Sequence, residues 1–142
     1  MDETLRLCGM PSATIDYVWD MVEPLLIPAV GYSDGKYAIK DIYDQLKEKN
    51  MQLWVIADNE DIIHAAIVTQ IVEYPNKKVM FIVLVGGVKF DTWSHVLPHF
   101  VAFAEDHQCE SIEAYGRTGW ETKLKHLGFK KILTVYRFPV KE

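Results

Sequence analysis

Residues 110–140 read ESIEAYGRTGWETKLKHLGFKKILTVYRFPV, and this stretch decides the fold. Ile112 and Ala114 alternate with polar neighbours, as in a short half-buried strand. Gly116-Arg117-Thr118-Gly119-Trp120 has the composition of a turn. A short helix is predicted next, stopped by Leu127-Gly128-Phe129. The rest of the stretch is rich in β-branched and aromatic residues, which predicts a long closing strand.

Working outward, 91–107 has Trp93, Val96, Leu97, Phe100, Val101 and Phe103 at helical spacing. Before it, 79–85 is an unbroken apolar run ended by Gly86-Gly87, the pattern of a central strand covered on both faces. A turn at 75–78 joins that run to a long Ile- and Val-rich strand over 62–74. A second turn at 58–61 leads back to a short strand at 52–57. An amphipathic helix is predicted over 36–50, with Ile39, Ile42, Tyr43 and Leu46 on one face. Another helix is predicted over 12–30, capped by Ser12 or Thr14, with Pro24 and Pro28 expected to kink or end it. Helices alternate with strands only in the second half. The class is therefore α/β (α+β): one domain with a mixed, mostly antiparallel sheet of about six strands and about four helices. Its parts are an N-terminal segment (1–11), two helices (12–50), central strands with a third helix (51–109) and a strand–helix–strand unit (110–142).

Composition narrows the function classes. The chain has 142 residues, 49% of them hydrophobic and 25% charged, which suits one domain with a real core. A net charge of -5 argues against a general nucleic-acid binder, which needs a clustered basic surface. No apolar run is long enough to span a membrane, and the first residues lack the features of a signal peptide. Cys8 and Cys109, far apart in unrelated contexts, are expected to be free thiols. The expected location is cytoplasmic.

The order of elements over 36–140 resembles the GNAT acyltransferase superfamily. The residues that carry the resemblance are Gln52-Leu53-Trp54, the strand pair joined at Tyr74-Pro75, Gly86-Gly87, Trp93, Phe103-Ala104 with Cys109, Gly116-Arg117-x-Gly119-Trp120 and Leu127-Gly128-Phe129. Within the superfamily the chain looks most like a divergent group found among bacteriophage proteins. The resemblance implies an N-acyltransferase that uses acetyl-CoA and acts on an amine, small or protein-borne. The cofactor would lie in a splay between two central strands, here against Val83, Leu84, Val85, Gly86, Gly87, Val88 and Lys89. In such proteins a glycine-rich loop before the third helix binds the pyrophosphate through backbone N–H groups. By position that loop falls on Val88-Lys89-Phe90-Asp91-Thr92-Trp93, with Asp91 and Trp93 at the glycine positions. Asp91 would compete with phosphate or serve as a helix N-cap, and Trp93 would obstruct approach. Gly86-Gly87 with Lys89 offers a differently placed anion nest.

The resemblance also places a tyrosine, the general acid of many members, where this chain has Leu124. Arg117 and Trp120 stand at its usual asparagine and alanine. Arg117 either binds an anion or packs across Trp120 in a closed turn. Glu73 and His64, on the long strand, are candidate general bases, as are Glu113 and Tyr115 at the end of the next-to-last strand. His95 and His99 are four apart, but Pro98 lies between them and no third ligand accompanies them, so no metal site is expected. Three readings stay open. The chain is an acyltransferase with an altered cofactor loop, or it keeps the scaffold with a degenerate active site and binds a protein, as a virion component or a host-protein ligand, or it is a transferase or binder of another phosphorylated ligand anchored by Arg117 and Lys89. If phage-encoded, it is expected in the host cytoplasm or the virion.

Overall fold

A computed structural model describes residues 5–87, 92–116 and 119–141. Five strands form one sheet in the order β1-β2-β3-β4-β5: Arg6–Met10, Gln52–Ala57, Ile63–Glu73, Lys78–Gly86 and Ser111–Ala114. The first four pair antiparallel, and β4 pairs with β5 in parallel. Helices α1 (Ile15–Val30) and α2 (Ile39–Lys47) cover one face. Helices α3 (Trp93–Asp106) and α4 (Glu121–His126) belong to the other. The mixed sheet and four helices match the α+β expectation, with five strands against about six.

Alternation along the strands builds the two cores. On β3, Ala66 and Val68 face the α1/α2 layer with Val22, Leu26, Ile42 and Leu46. Ala65 and Ile67 face the other layer with Trp93, Val96 and Phe100. This period of two explains why the central strands read as continuous apolar runs.

Three expectations are corrected. First, of the two outcomes expected at Pro24 and Pro28, a kink or an end, the end is overturned: α1 runs through both. An internal proline costs about 3 kcal/mol, but full burial of a Val, Leu or Ile stabilises by roughly 1.5–3 kcal/mol each. Ile15, Val22 and Leu26 are all buried on this helix, so packing wins. Second, residues 6–10 of the N-terminal segment, to which the sequence reading assigns no element, form edge strand β1. Third, the closing strand does not form: 129–141 joins no sheet and is exposed along nearly its whole length. One helix bound also tightens. The Asp41 carboxylate accepts the Ala38 N–H at 2.8 Å, so α2 begins at Ile39, not at 36. Helix α3 spans Trp93–Asp106, and Asp91, its expected start, lies outside the described residues.

Candidate functional site

The parallel pairing of β4 with β5 lasts four residues, from Val79 opposite Ser111 to Ile82 opposite Ala114. Beyond that point β4 continues to Gly86 while β5 leaves the sheet. The β3–β4 ladder breaks at the same level. Val68 lies opposite Leu84, but the next residue, Thr69, lies opposite Ile82, so Val83 is an extra residue on β4. Such a bulge twists the strand and re-aims its backbone. Val83 thus loses its counterpart on β3 at the level where β5 also departs. Among the described residues, no strand pairs with the β5 side of β4 from Val83 to Gly86. The result is a wedge with backbone donors and acceptors along one wall.

A buried polar chain holds the register beneath the bulge. The indole Nε1 of Trp54 donates to Thr69 Oγ1 at 2.9 Å, and that hydroxyl donates to Gln52 Oε1 at 3.0 Å. Thr69 is fully buried, so both bonds stabilise more than surface ones would. Sequence reasoning missed this chain. Its one signal was a threonine among the apolar residues of the long strand.

Gly86 and Gly87, expected in the cofactor site, have a packing role. A Cβ on Gly86 would lie 2.0 Å from the Leu25 carbonyl oxygen, so the glycine lets β4 touch the backbone of α1. Gly87 has φ +82, and its Cβ would lie 2.5 Å from the His64 carbonyl oxygen. Together they pin the open end of the wedge between α1 and β3.

The other wall carries Tyr115. Register places Phe81 opposite Glu113, and Tyr115 follows two residues on. The Phe81 and Tyr115 rings meet edge-on at 4.8 Å, and Lys36 Nζ lies 5.5 Å from the Tyr115 ring centre. Ser111 Oγ donates to the Glu113 carboxylate at 3.3 Å. Tyr115 is otherwise exposed. Leu124 Cδ1 sits 3.3 Å from where a Cβ on Gly116 would be, which places it beside the end of β5.

Other candidates fall elsewhere. Glu73 pairs with Lys78 at the hairpin end of β3, five residues along β4 from Val83. At the rise of a strand that is about 16 Å away, so the structure does not bring Glu73 to the wedge. His64 sits at a second register shift, on β3, and its Nε2 lies 2.7 Å from Asp58 Oδ2. Asp58 is buried and also accepts the Glu60 and Ile62 N–H groups, so this pair closes the β2–β3 turn. Those bonds, the one to His64 first, hold the Asp58 carboxyl below the ordinary carboxylate range. Arg117, Val88, Lys89 and Asp91 lie outside the described residues. Trp93 is corrected: its indole is buried in the α3-side core against Phe100, not across the approach to the helix start. Trp120 is half-buried and Cys109 packs against the α3-side core. His95 and His99 are exposed. Among the described residues no three His, Cys, Asp or Glu side chains are grouped to hold a metal.

An open groove of about 350 Å³ lies between α1 and α2, lined by Asp16, Trp19, Asp20, Glu23, Lys40 and Tyr43 among others. Tyr43 and Lys47 both donate to Asp16, which lowers its pKa, the Lys47 bond having the larger effect. No helix among the described residues is long and apolar enough to cross a membrane.

Neither a family model nor a curated protein sequence matches this chain. Solved structures do. A probable acetyltransferase superposes with a TM-score of 0.72 at 12% identity, covering 96% of this chain and 99% of its own. A predicted acetyltransferase with acetyl-CoA from Clostridium acetobutylicum gives 0.70 at 12% identity, covering 96% and 97%. An aminoglycoside antibiotic 6'-N-acetyltransferase from Acinetobacter baumannii gives 0.68 at 12%, covering 98% and 99%. At such identities the likeness concerns the fold alone: this chain shares the fold of these acetyltransferase structures.

Proposed function

We propose that the β4–β5 wedge is an acyl-CoA site and that the chain transfers an acyl group from it to an amine. The observation that carries this reading is the coincidence at Val83 of the β4 bulge with the end of β5 pairing. Neighbours in fold are acetyltransferases, and one is described with acetyl-CoA. The donors present fit the cofactor, because its pantetheine arm carries amides and the β5 side of Val83–Gly86 offers strand-like partners for them. When bound, acetyl-CoA supplies an activated thioester carbonyl. The backbone N–H groups around Val83 then polarise the carbonyl oxygen, as fixed dipoles do best where water is excluded. Helix α3 has 14 residues, and the dipole at its N-terminus favours an anion such as a phosphate. The Trp93 indole is turned into the core and does not itself lie over that end.

The acceptor is an amine, and the groove beside Asp20 and Glu23 has the sign to draw a cationic one. In this reading Tyr115, on the wall of the wedge, and Glu113, two residues before it in the paired part of β5, take its proton through water. Leu124 cannot donate to the departing thiolate, so that proton comes from solvent and turnover is slow. Calorimetric titration with acetyl-CoA tests the reading. Heat of binding is expected, together with a rise in Tm equivalent to about 2.7 kcal/mol at a hundredfold excess over Kd. A Val83→Pro variant, which lacks the N–H, should keep its circular dichroism and lose turnover. No heat and no Tm shift at millimolar ligand would overturn the assignment and favour the second reading, a protein-binding role for a degenerate scaffold.

A further inference from the structure

Two polar side chains are buried among the described residues, Asp58 and Thr69. Asp58 closes the β2–β3 turn. Thr69 lies inside β3, fully covered, where a valine of nearly the same shape would spare the burial of a hydroxyl. Its hydroxyl marks a register that a valine would leave unmarked. From Gln52 opposite Thr69 to Ile56 opposite Ala65, β2 and β3 pair without a shift. The Trp54 indole reaches diagonally across this ladder to Thr69 Oγ1, and Gln52 Oε1 accepts from the same hydroxyl. A slip of one residue would turn Thr69 to the other face of the sheet and break both bonds.

On its other side β3 meets the bulge. The ladder changes register between Val68, opposite Leu84, and Thr69, opposite Ile82. The faces of β4 record the extra residue: Ile82 and Val85 pack in the α3-side core, whereas Val83 and Leu84 both pack with the α1/α2 layer. Apolar side chains alone do not pin such a bulge, because β4 has one at every step from Val79 to Val85. With β3 locked to β2 at Thr69, the mismatch falls on β4 at Val83. The lock reaches α3 as well, since Phe100 and Phe103 meet the Trp54 ring edge-on, with centroids 5.0 Å and 4.9 Å away.

We propose that Thr69 is a positioning residue for acyl transfer: through Trp54 and Gln52 it keeps the bulge at Val83 and so aims the backbone N–H groups there at the acyl carbonyl. The proposal rests on the acyl-CoA reading of the wedge. Thr69 has no exposed surface with which to touch a ligand itself. Moving the bulge by one residue displaces a backbone N–H by about 3.3 Å, more than a hydrogen bond tolerates.

Acetyl-CoA labelled with carbon-13 at the acetyl carbonyl is the probe, added to the full chain. Calorimetry follows binding, and isotope-edited infrared spectroscopy follows the carbonyl stretch. In wild type, binding should lower the stretch relative to the free probe, the signature of a polarised carbonyl. Thr69→Val should bind with Kd within about threefold of wild type and lose about half or more of that lowering. Thr69→Ser keeps the hydroxyl without the methyl and should restore it. In the ligand-free protein the Val83 and Leu84 amide resonances should move in Thr69→Val and return in Thr69→Ser. A hydroxyl with a structural role alone would lower Tm in Thr69→Val and leave the stretch and both amides as in wild type. That result overturns the proposal while the acyl-CoA reading stands, as does a wild type that binds with an unshifted stretch. Should Thr69→Val fail to fold, Trp54→Phe, which removes the indole donor, decides by the same two signals. No heat of binding in wild type overturns the acyl-CoA reading itself, and the role of Thr69 falls with it.

Discussion

A methyl group added to Gly86 has nowhere to go, because the atom it would meet is a helix carbonyl oxygen at 2.0 Å and not the end of a flexible side chain. Gly86→Ala should therefore cost at least about 1–3 kcal/mol of stability, the range for overpacking, measurable as a fall in the urea midpoint with little change in m. A glycine pair after a strand reads equally as an anion nest and as a close approach of two backbones, and the second is what the packing of Gly86 and Gly87 shows. Asp58 gives a second residue-level outcome. Its folded pKa is lowered by the His64 bond and by the Glu60 and Ile62 N–H groups. The ionised carboxylate thus stabilises the fold at every pH above the ordinary value of about 3.9, and this contribution fades as pH falls through the lowered value. Asp58→Asn should lower Tm at pH 7 and flatten the fall of Tm between pH 4 and pH 2, read by calorimetry across that range. A parallel fall in both proteins would assign the acid sensitivity to other carboxylates.

At the scale of elements, helix α4 brings Leu124 against Gly116, beside the end of β5. Leu124→Tyr places a phenol there and should raise kcat about tenfold, the lower end of what a positioned acid supplies or below it, with KM for acetyl-CoA little changed. Steady-state kinetics with a panel of amines checks it, and an unchanged kcat would show that thiolate protonation is not limiting. The elements also show which features were legible in the sequence. The long strand expected at 62–74 is Ile63–Glu73, because its alternation has a buried partner on both sides. Arg6-Leu7-Cys8-Gly9-Met10 offers no alternation of its own and becomes β1 only through pairing with β2, with Gly9 seated against the Trp54 ring. The closing segment shows the converse: its composition favours a strand, yet among the described residues it pairs with none. The bulge at Val83 was illegible for a related reason. Within a uniform apolar run the extra residue is defined only by the partner strand, and the sequence of one strand carries no register.

Taken as a whole, the molecule is two cores divided by one sheet, and each core holds a single cysteine. Cys8 packs with the α1/α2 layer and Cys109 with the α3/α4 layer, both half-buried and neither in a disulfide. Burial pushes the Cys109 thiol above its ordinary pKa, with Lys78 opposing weakly. A thiol reacts only as its thiolate, so Cys109 should be alkylated more slowly than Cys8 in the native protein, as mass spectrometry of timed samples would show. In mild urea the same two reactions become independent clocks, one per layer. Equal acceleration at both sites means that the layers open together as one cooperative unit, whereas earlier acceleration at one names the layer that yields first. The partition of the thiols by the sheet thus lets the cooperativity of the fold be timed without adding any label site.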